Sequence, residues 1–212
     1  MEGAAGLFKV GLQLFSAEGP QAVKTLAGLG FEIFLDLKFH DIPNTVAGAV
    51  AAVSGLPRVR LINVHALGGL EMMRAARDAV SGMRKRPALL GVTILTSMDA
   101  PELRRVGISG APAKRAVELA KLVKQAGLDG VVASGNEALA IRRACGPKFL
   151  IVVPGVRPAS ADSNDQARVT TPAQAIQAGA NYLVVGRPIT GARDPRVAAL
   201  QIAREIAEAN RR

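Results

Sequence analysis

Phe34-Leu35-Asp36-Leu37-Lys38-Phe39-His40-Asp41-Ile42-Pro43-Asn44-Thr45, residues 34–45, begins as an apolar run and ends among charges. Side chains alternate along a strand, so Asp36 and Lys38 share one side while Leu35 and Leu37 face the other. A strand that buries leucines on one face and ends in ionisable groups suits a parallel sheet covered by helices, with a polar site at the strand ends. The rest of the chain repeats this plan. Short apolar runs at 7–10, 33–37, 61–65, 89–95, 130–133, 149–153 and 182–185 alternate with stretches of three- and four-residue apolar spacing. Over 112–126, Ala116, Leu119, Ala120 and Val123 line one helical face, and Lys114, Arg115, Glu118, Lys121 and Lys124 occupy the other.

Helix boundaries are written locally. Thr171-Pro172-Ala173-Gln174 offers a capping Thr, a Pro pre-set for the first turn and a Gln at the reciprocal position, and Gly179 closes that helix. Asp194-Pro195 opens the last helix in the same way, and Gly127-Leu128-Asp129-Gly130 turns a helix into a buried strand. Repeated βα units imply right-handed crossovers and a parallel sheet, doubly wound or closed into a barrel. Polar residues recur at the strand ends: Asp36 and Lys38, His65, Thr96 and Ser97, Arg157, Arg187. Their convergence favours the barrel, whose sites lie on that face. The fold class is therefore α/β, a (β/α)8 TIM barrel in one domain over 1–212, with its first strand apparently missing. That strand belongs before Lys9, where only a few small residues stand. Either the start is truncated or misassigned, or another segment covers the gap.

Composition narrows the function. The chain has 212 residues, 49% hydrophobic but only 3% aromatic, so the core must be aliphatic. It carries 27 basic against 17 acidic residues, a net charge of +10. The charges are scattered, the one basic run being Arg84-Lys85-Arg86, read as a solvated loop. No basic stretch is interleaved with aromatics that could stack bases, which argues against nucleic acid. Cys145 is alone, so neither an intrachain disulfide nor a thiolate metal cluster is available. No signal peptide and no span of about 18 apolar residues is found, pointing to a cytoplasmic protein without membrane association.

Burying an acid and an amine costs several kcal/mol each unless they pair. Asp36 and Lys38 can thus be a structural ion pair, or, with Lys9 ending the preceding strand and Asp41 nearby, a network that holds and transfers a proton. Gly186-Arg187-Pro188-Ile189-Thr190 follows the last strand, where such barrels bind phosphate through backbone N–H groups; a surface arginine without a role is the alternative. Pro154-Gly155-Val156-Arg157-Pro158 ends the strand before it, and Asn164-Asp165-Gln166 lies in the loop that follows. His65 reads as a core histidine rather than a catalyst, and His40 has no assigned role.

On DLKFHDIPNT, supported in order by VTILTSM, PGVRP and VGRPIT, the chain resembles the bacterial orotidine 5′-phosphate decarboxylase family from Phe8-Lys9-Val10-Gly11 to the C-terminus. The resemblance implies a homodimeric enzyme of pyrimidine nucleotide synthesis that uses no cofactor and no metal. Lys9, Asp36, Lys38 and Asp41 match the family's charged tetrad, with Lys38 as proton donor to C6. Asp41, with Ile42 and Thr45, is implied to reach the partner subunit's site. Thr96 and Ser97 are implied to contact the pyrimidine, and Pro154, Arg157, Gln166, Gly186 and Arg187 the nucleotide and its phosphate. The family's first-strand aspartate, which touches the ribose, has no counterpart here. A metal-dependent sugar-phosphate lyase shares the Asp-x-Lys-x-x-Asp pattern, but Ile42-Pro43-Asn44-Thr45 and the lack of further carboxylate ligands speak against it. A catalytically dead barrel, or a basic protein binding RNA, is the rival outside enzymology.

Overall fold

The computed structural model describes residues 3–157 and 170–210. In chain order the elements are β1 (Phe8–Gly11), α1 (Leu12–Glu18), α2 (Pro20–Gly28), β2 (Ile33–Phe39), α3 (Pro43–Ser54), β3 (Val59–His65), a 3-10 turn (Ala66–Gly68), α4 (Gly69–Ser81), β4 (Ala88–Val92), α5 (Ala100–Arg105), α6 (Pro112–Gln125), β5 (Gly130–Val132), α7 (Gly135–Cys145), β6 (Leu150–Pro154), α8 (Pro172–Gln177), β7 (Tyr182–Val184), α9 (Arg187–Thr190) and α10 (Pro195–Ala209). The strands form one seven-stranded sheet in the order β1-β2-β3-β4-β5-β6-β7. Pairs β1–β2, β2–β3, β3–β4 and β6–β7 are parallel. A doubly wound sheet reverses its strand order partway across. This one does not, so its topology is that of a β/α barrel with one strand fewer than eight among the described residues.

The chain divides into two compact units. One comprises Gly6–Val92 and Leu119–Val131, the other Met1–Ala5, Thr93–Glu118 and Val132–Arg212. In the first, Val10, Ile33, Leu35, Ile62, Leu89 and Leu90 are buried, an aliphatic core as the composition requires. The Arg84-Lys85-Arg86 run is more than a solvated loop. Arg86 makes two hydrogen bonds to Asp129 (2.6 and 2.7 Å), and Asp129 also accepts from the Leu89 amide (2.7 Å), which pins the start of β4. In the second unit Thr171 and Gln174 form the expected capping box, and Asp194 caps α10 through the amides of Arg196 and Val197.

Strand β4 is shorter than the apolar pattern suggested, ending at Val92 rather than residue 95. The Thr93 hydroxyl and amide both donate to the Val132 carbonyl, and the chain then turns, the Met98 amide donating to Leu95 O. Apolar composition alone could not locate that turn. Within β4, Gly91 lets α6 approach closely: a Cβ there would lie 2.3 Å from Val123 Cγ2 and 3.0 Å from Cγ1. A valine cannot rotate freely to yield. Gly91→Ala is expected to lower unfolding free energy by roughly 1–3 kcal/mol in urea titrations, with part recovered in the Gly91→Ala/Val123→Ala double variant. Strictly additive losses would rule out this contact as the cause. No helix among the described residues is long and apolar enough to cross a membrane.

Candidate active site

The charged groups assemble because β1, β2 and β3 end side by side. Gly11 pairs in register with Asp36, so Lys9, two residues back on the same face, leans toward the carboxylate. Its Nζ lies 3.2 Å from Asp36 Oδ2. Gly11 gives it room, since a Cβ at that position would sit 2.6 Å from the ammonium. Lys38 Nζ donates to the other oxygen, Asp36 Oδ1, at 2.6 Å. One carboxylate thus holds two ammonium groups, one on each oxygen.

Simple alternation put Asp36 and Lys38 on one side, and they do meet, but through a distorted strand. The β2–β3 register jumps between Leu35↔Ile62 and Phe39↔Val64, so β2 advances four residues while β3 advances two. Lys38 sits within this bulge at φ 52, a left-handed conformation that non-glycine residues seldom adopt. Bulges re-aim side chains and leave backbone groups without ladder partners. Here the Lys38 amide donates to Asn63 Oδ1 (2.8 Å), while Asn63 Nδ2 donates to Asp36 Oδ1 (2.7 Å). Asn63 is fully buried. Sequence reasoning missed it, although an asparagine on an inner position of an otherwise apolar strand, two residues before His65, was the available signal.

Burial raises the Asp36 carboxyl, but the charge and hydrogen bond of Lys38, the bond from Asn63 and the charge of Lys9 outweigh it and hold the group below its ordinary value. Asp36 is therefore an anion at neutral pH. His65 ends β3 half-buried, its Nδ1 accepting from the Leu67 amide (3.3 Å). Its ring stacks on His40, centroids 5.2 Å apart. It is half-buried rather than a core residue, and His40 acquires a partner. Burial, then the neighbouring His40 and Lys38, push the His65 imidazole down to about 4. The unfolded chain, with an ordinary histidine, binds this proton at higher pH than the native one does. Stability contributed by neutral His65 is therefore whole above about 6.5 and is lost as pH falls toward 4. His65→Asn keeps an acceptor for Leu67 but cannot titrate. Between pH 7.5 and 4.5 its urea midpoint is expected to fall less than that of the wild type; equal falls would contradict this.

Asp41 follows β2, exposed, its Oδ1 accepting from the Ile42 amide (2.6 Å). Ile42 is 66% exposed, and Thr45 is exposed in the first turn of α3. In the other unit, Thr96 is half-buried and Ser97 exposed just beyond β4, and Pro154 ends β6. Gly155 turns the chain at φ 71. Arg157 is then buried, its amide donating to Thr170 O (3.1 Å), and its Nε has no hydrogen-bond partner among the described residues. Gly186 and Arg187 are exposed at the start of α9, where Gly186 O accepts from the amides of Ile189 (2.8 Å) and Thr190 (3.0 Å). Those two amides are engaged within the turn. Gln166, Asn164 and Asp165 lie outside the described residues. Among the described residues no group of three or more His, Cys, Asp or Glu could hold a metal ion.

Sequentially wound parallel β/α topology, with a lysine–carboxylate–lysine array where strands end, places the chain among β/α-barrel enzymes. The family model described as "Orotidine 5'-phosphate decarboxylase / HUMPS family" matches residues 2–202, and the chain belongs to that family. It is 54% identical over 198 residues to an orotidine 5′-phosphate decarboxylase of Nitrosococcus oceani, covering 93% of this chain and 85% of that one. One from Moorella thermoacetica is 53% identical over 208 residues, covering 95% and 82%. The crystal structure of orotidine 5′-phosphate decarboxylase from Lactobacillus acidophilus superposes with a TM-score of 0.82 at 39% identity, covering 93% of this chain and 85% of that one.

Proposed function

We propose that the chain decarboxylates orotidine 5′-monophosphate to uridine 5′-monophosphate without a cofactor. The observation that carries this reading is the Lys38 ammonium 2.6 Å from the Asp36 carboxylate, with Lys9 on the opposite oxygen. As the bond from C6 to the carboxylate breaks, carbon dioxide departs and its electron pair stays on C6. The pyrimidine delocalises that pair poorly, so stabilisation falls to fixed charge and position. The Lys38 cation attracts the developing charge and then transfers its proton to C6. Asp36 faces the leaving carboxylate; two such charges about 4 Å apart repel by roughly 4 kcal/mol at an effective dielectric near 20. That is too little to account for a large acceleration alone.

In this reading the protein acts as a cytoplasmic homodimer, each chain one domain over 1–212. Asp41, with Ile42 and Thr45, enters the partner subunit's site, which accords with their exposure. Thr96 and Ser97 meet the pyrimidine edge. Pro154, Arg157, Gln166, Gly186 and Arg187 take the nucleotide and its phosphate. A buried guanidinium with an unsatisfied Nε among the described residues suits an anionic ligand.

The test is the ultraviolet absorbance of orotidine 5′-monophosphate incubated with the protein, with and without EDTA. Consumption at equal rates in both is expected. No consumption overturns the reading, and consumption abolished by EDTA points instead to a metal-dependent lyase.

A further inference from the structure

The bulge in β2 solves one problem and creates another. It swings Lys38 onto Asp36, but it takes the Lys38 amide out of the ladder and holds that residue at φ 52. A buried amide without a partner is costly, and a left-handed lysine persists only where its surroundings over-determine it. Asn63 meets both demands with one side chain. Its carbonyl oxygen accepts from the Lys38 amide at 2.8 Å, and its amide nitrogen donates to Asp36 Oδ1 at 2.7 Å. That carboxylate oxygen is the one Lys38 Nζ also contacts, at 2.6 Å. An asparagine has the donor and acceptor on one planar group, so both bonds fix the same distance. Aspartate lacks the donor unless protonated, and leucine lacks both.

We propose that Asn63 is a positioning residue for the decarboxylation, clamping the Lys38 backbone and the Asp36 carboxylate so that the ammonium is held at the reacting carbon. It sits behind the carboxylate, fully buried, and acts through Asp36 and Lys38 rather than on substrate. This rests on the function proposed above, but the clamp itself is a property of the fold and can be read without turnover.

Two variants test it. Asn63→Leu keeps the branching at Cγ and the number of side-chain heavy atoms, and removes both bonds. Turnover is expected to fall about a hundredfold, with KM moved less than threefold, because the clamp touches no phosphate-binding group. Asn63→Asp keeps the acceptor but sets a second carboxylate against Asp36 Oδ1. Two such groups share a proton on acidification, and the protonated form restores the donor. The ratio of variant to wild-type turnover is therefore expected to rise at least tenfold from pH 8 to pH 5. A merely structural role predicts a ratio indifferent to pH. A flat ratio, or wild-type turnover in Asn63→Leu, overturns the proposal. If the wild type itself fails to decarboxylate, the functional reading falls while the clamp is judged by amide exchange. The Lys38 amide should be protected in the wild type and exchange at least tenfold faster in Asn63→Leu, which removes its acceptor. Unchanged protection overturns the clamp.

Discussion

Replacing Lys38 with alanine is expected to lower turnover by roughly 10⁴-fold, the upper end of what a positioned proton donor contributes. The effect should be that large because two losses coincide. In the proposed mechanism the proton delivered to C6 disappears, and so does the cation nearest the developing negative charge. Bulk water can supply a proton but not a fixed charge at that point. The fold should survive, since Lys38 lies at the end of β2 with a side chain 37% exposed. Its removal leaves Asp36 in contact with Lys9 and Asn63. Affinity for the product, uridine 5′-monophosphate, should stay measurable by calorimetry, because no carboxylate or carbanion exists in that complex. Turnover near the wild-type rate in Lys38→Ala would refute the donor role outright. Lost product binding together with lost turnover would show instead that Lys38 serves ligand binding.

The fold was legible because its evidence is local and repeated. Each apolar run with a helical stretch after it votes for the same βα unit, and caps such as Thr171 and Asp194 depend only on neighbours in sequence. The pairing of Asp36 with Lys38 was legible for the same reason, being a matter of spacing two apart on a strand. What was not legible is tertiary. Nothing in Asp-Leu-Lys announces a bulge, for no glycine marks the left-handed position that Lys38 occupies. The partner that stabilises it, Asn63, stands 25 residues away on the next strand. Nothing in the sequence singles out Gly11, yet its use is to leave space for the Lys9 ammonium. His40 and His65 were separate puzzles in sequence and become one stacked pair only when the ends of β2 and β3 are brought together. Such devices arise where strand ends meet, and periodicity carries no information about them.

The second large effect concerns the anion between the lysines. Asp36→Asn preserves shape: its carboxamide oxygen can still accept from Asn63 or from Lys38, so the bulge has reason to persist. What vanishes is charge. Lys9 and Lys38 approach the carboxylate at 3.2 and 2.6 Å, and in the variant two ammonium groups face each other with no anion between them. An opposite-charge pair near 4 Å is worth about 4 kcal/mol at an effective dielectric of 20. Both lysines are more than a third exposed, so solvent screening reduces this to about 2–4 kcal/mol. If the charge serves the transition state, turnover falls roughly 30- to 10³-fold. KM for orotidine 5′-monophosphate should not rise, because in the proposed mechanism the lost group repels the substrate carboxylate in the ground state. A raised KM at unchanged turnover would assign Asp36 to binding, and wild-type kinetics would reduce the triad to a structural ion pair. The thermal midpoint guards the comparison. Retained within a few degrees, it attributes the lost rate to the missing charge; a collapse would mean that the anion is needed first to hold the two cations in place.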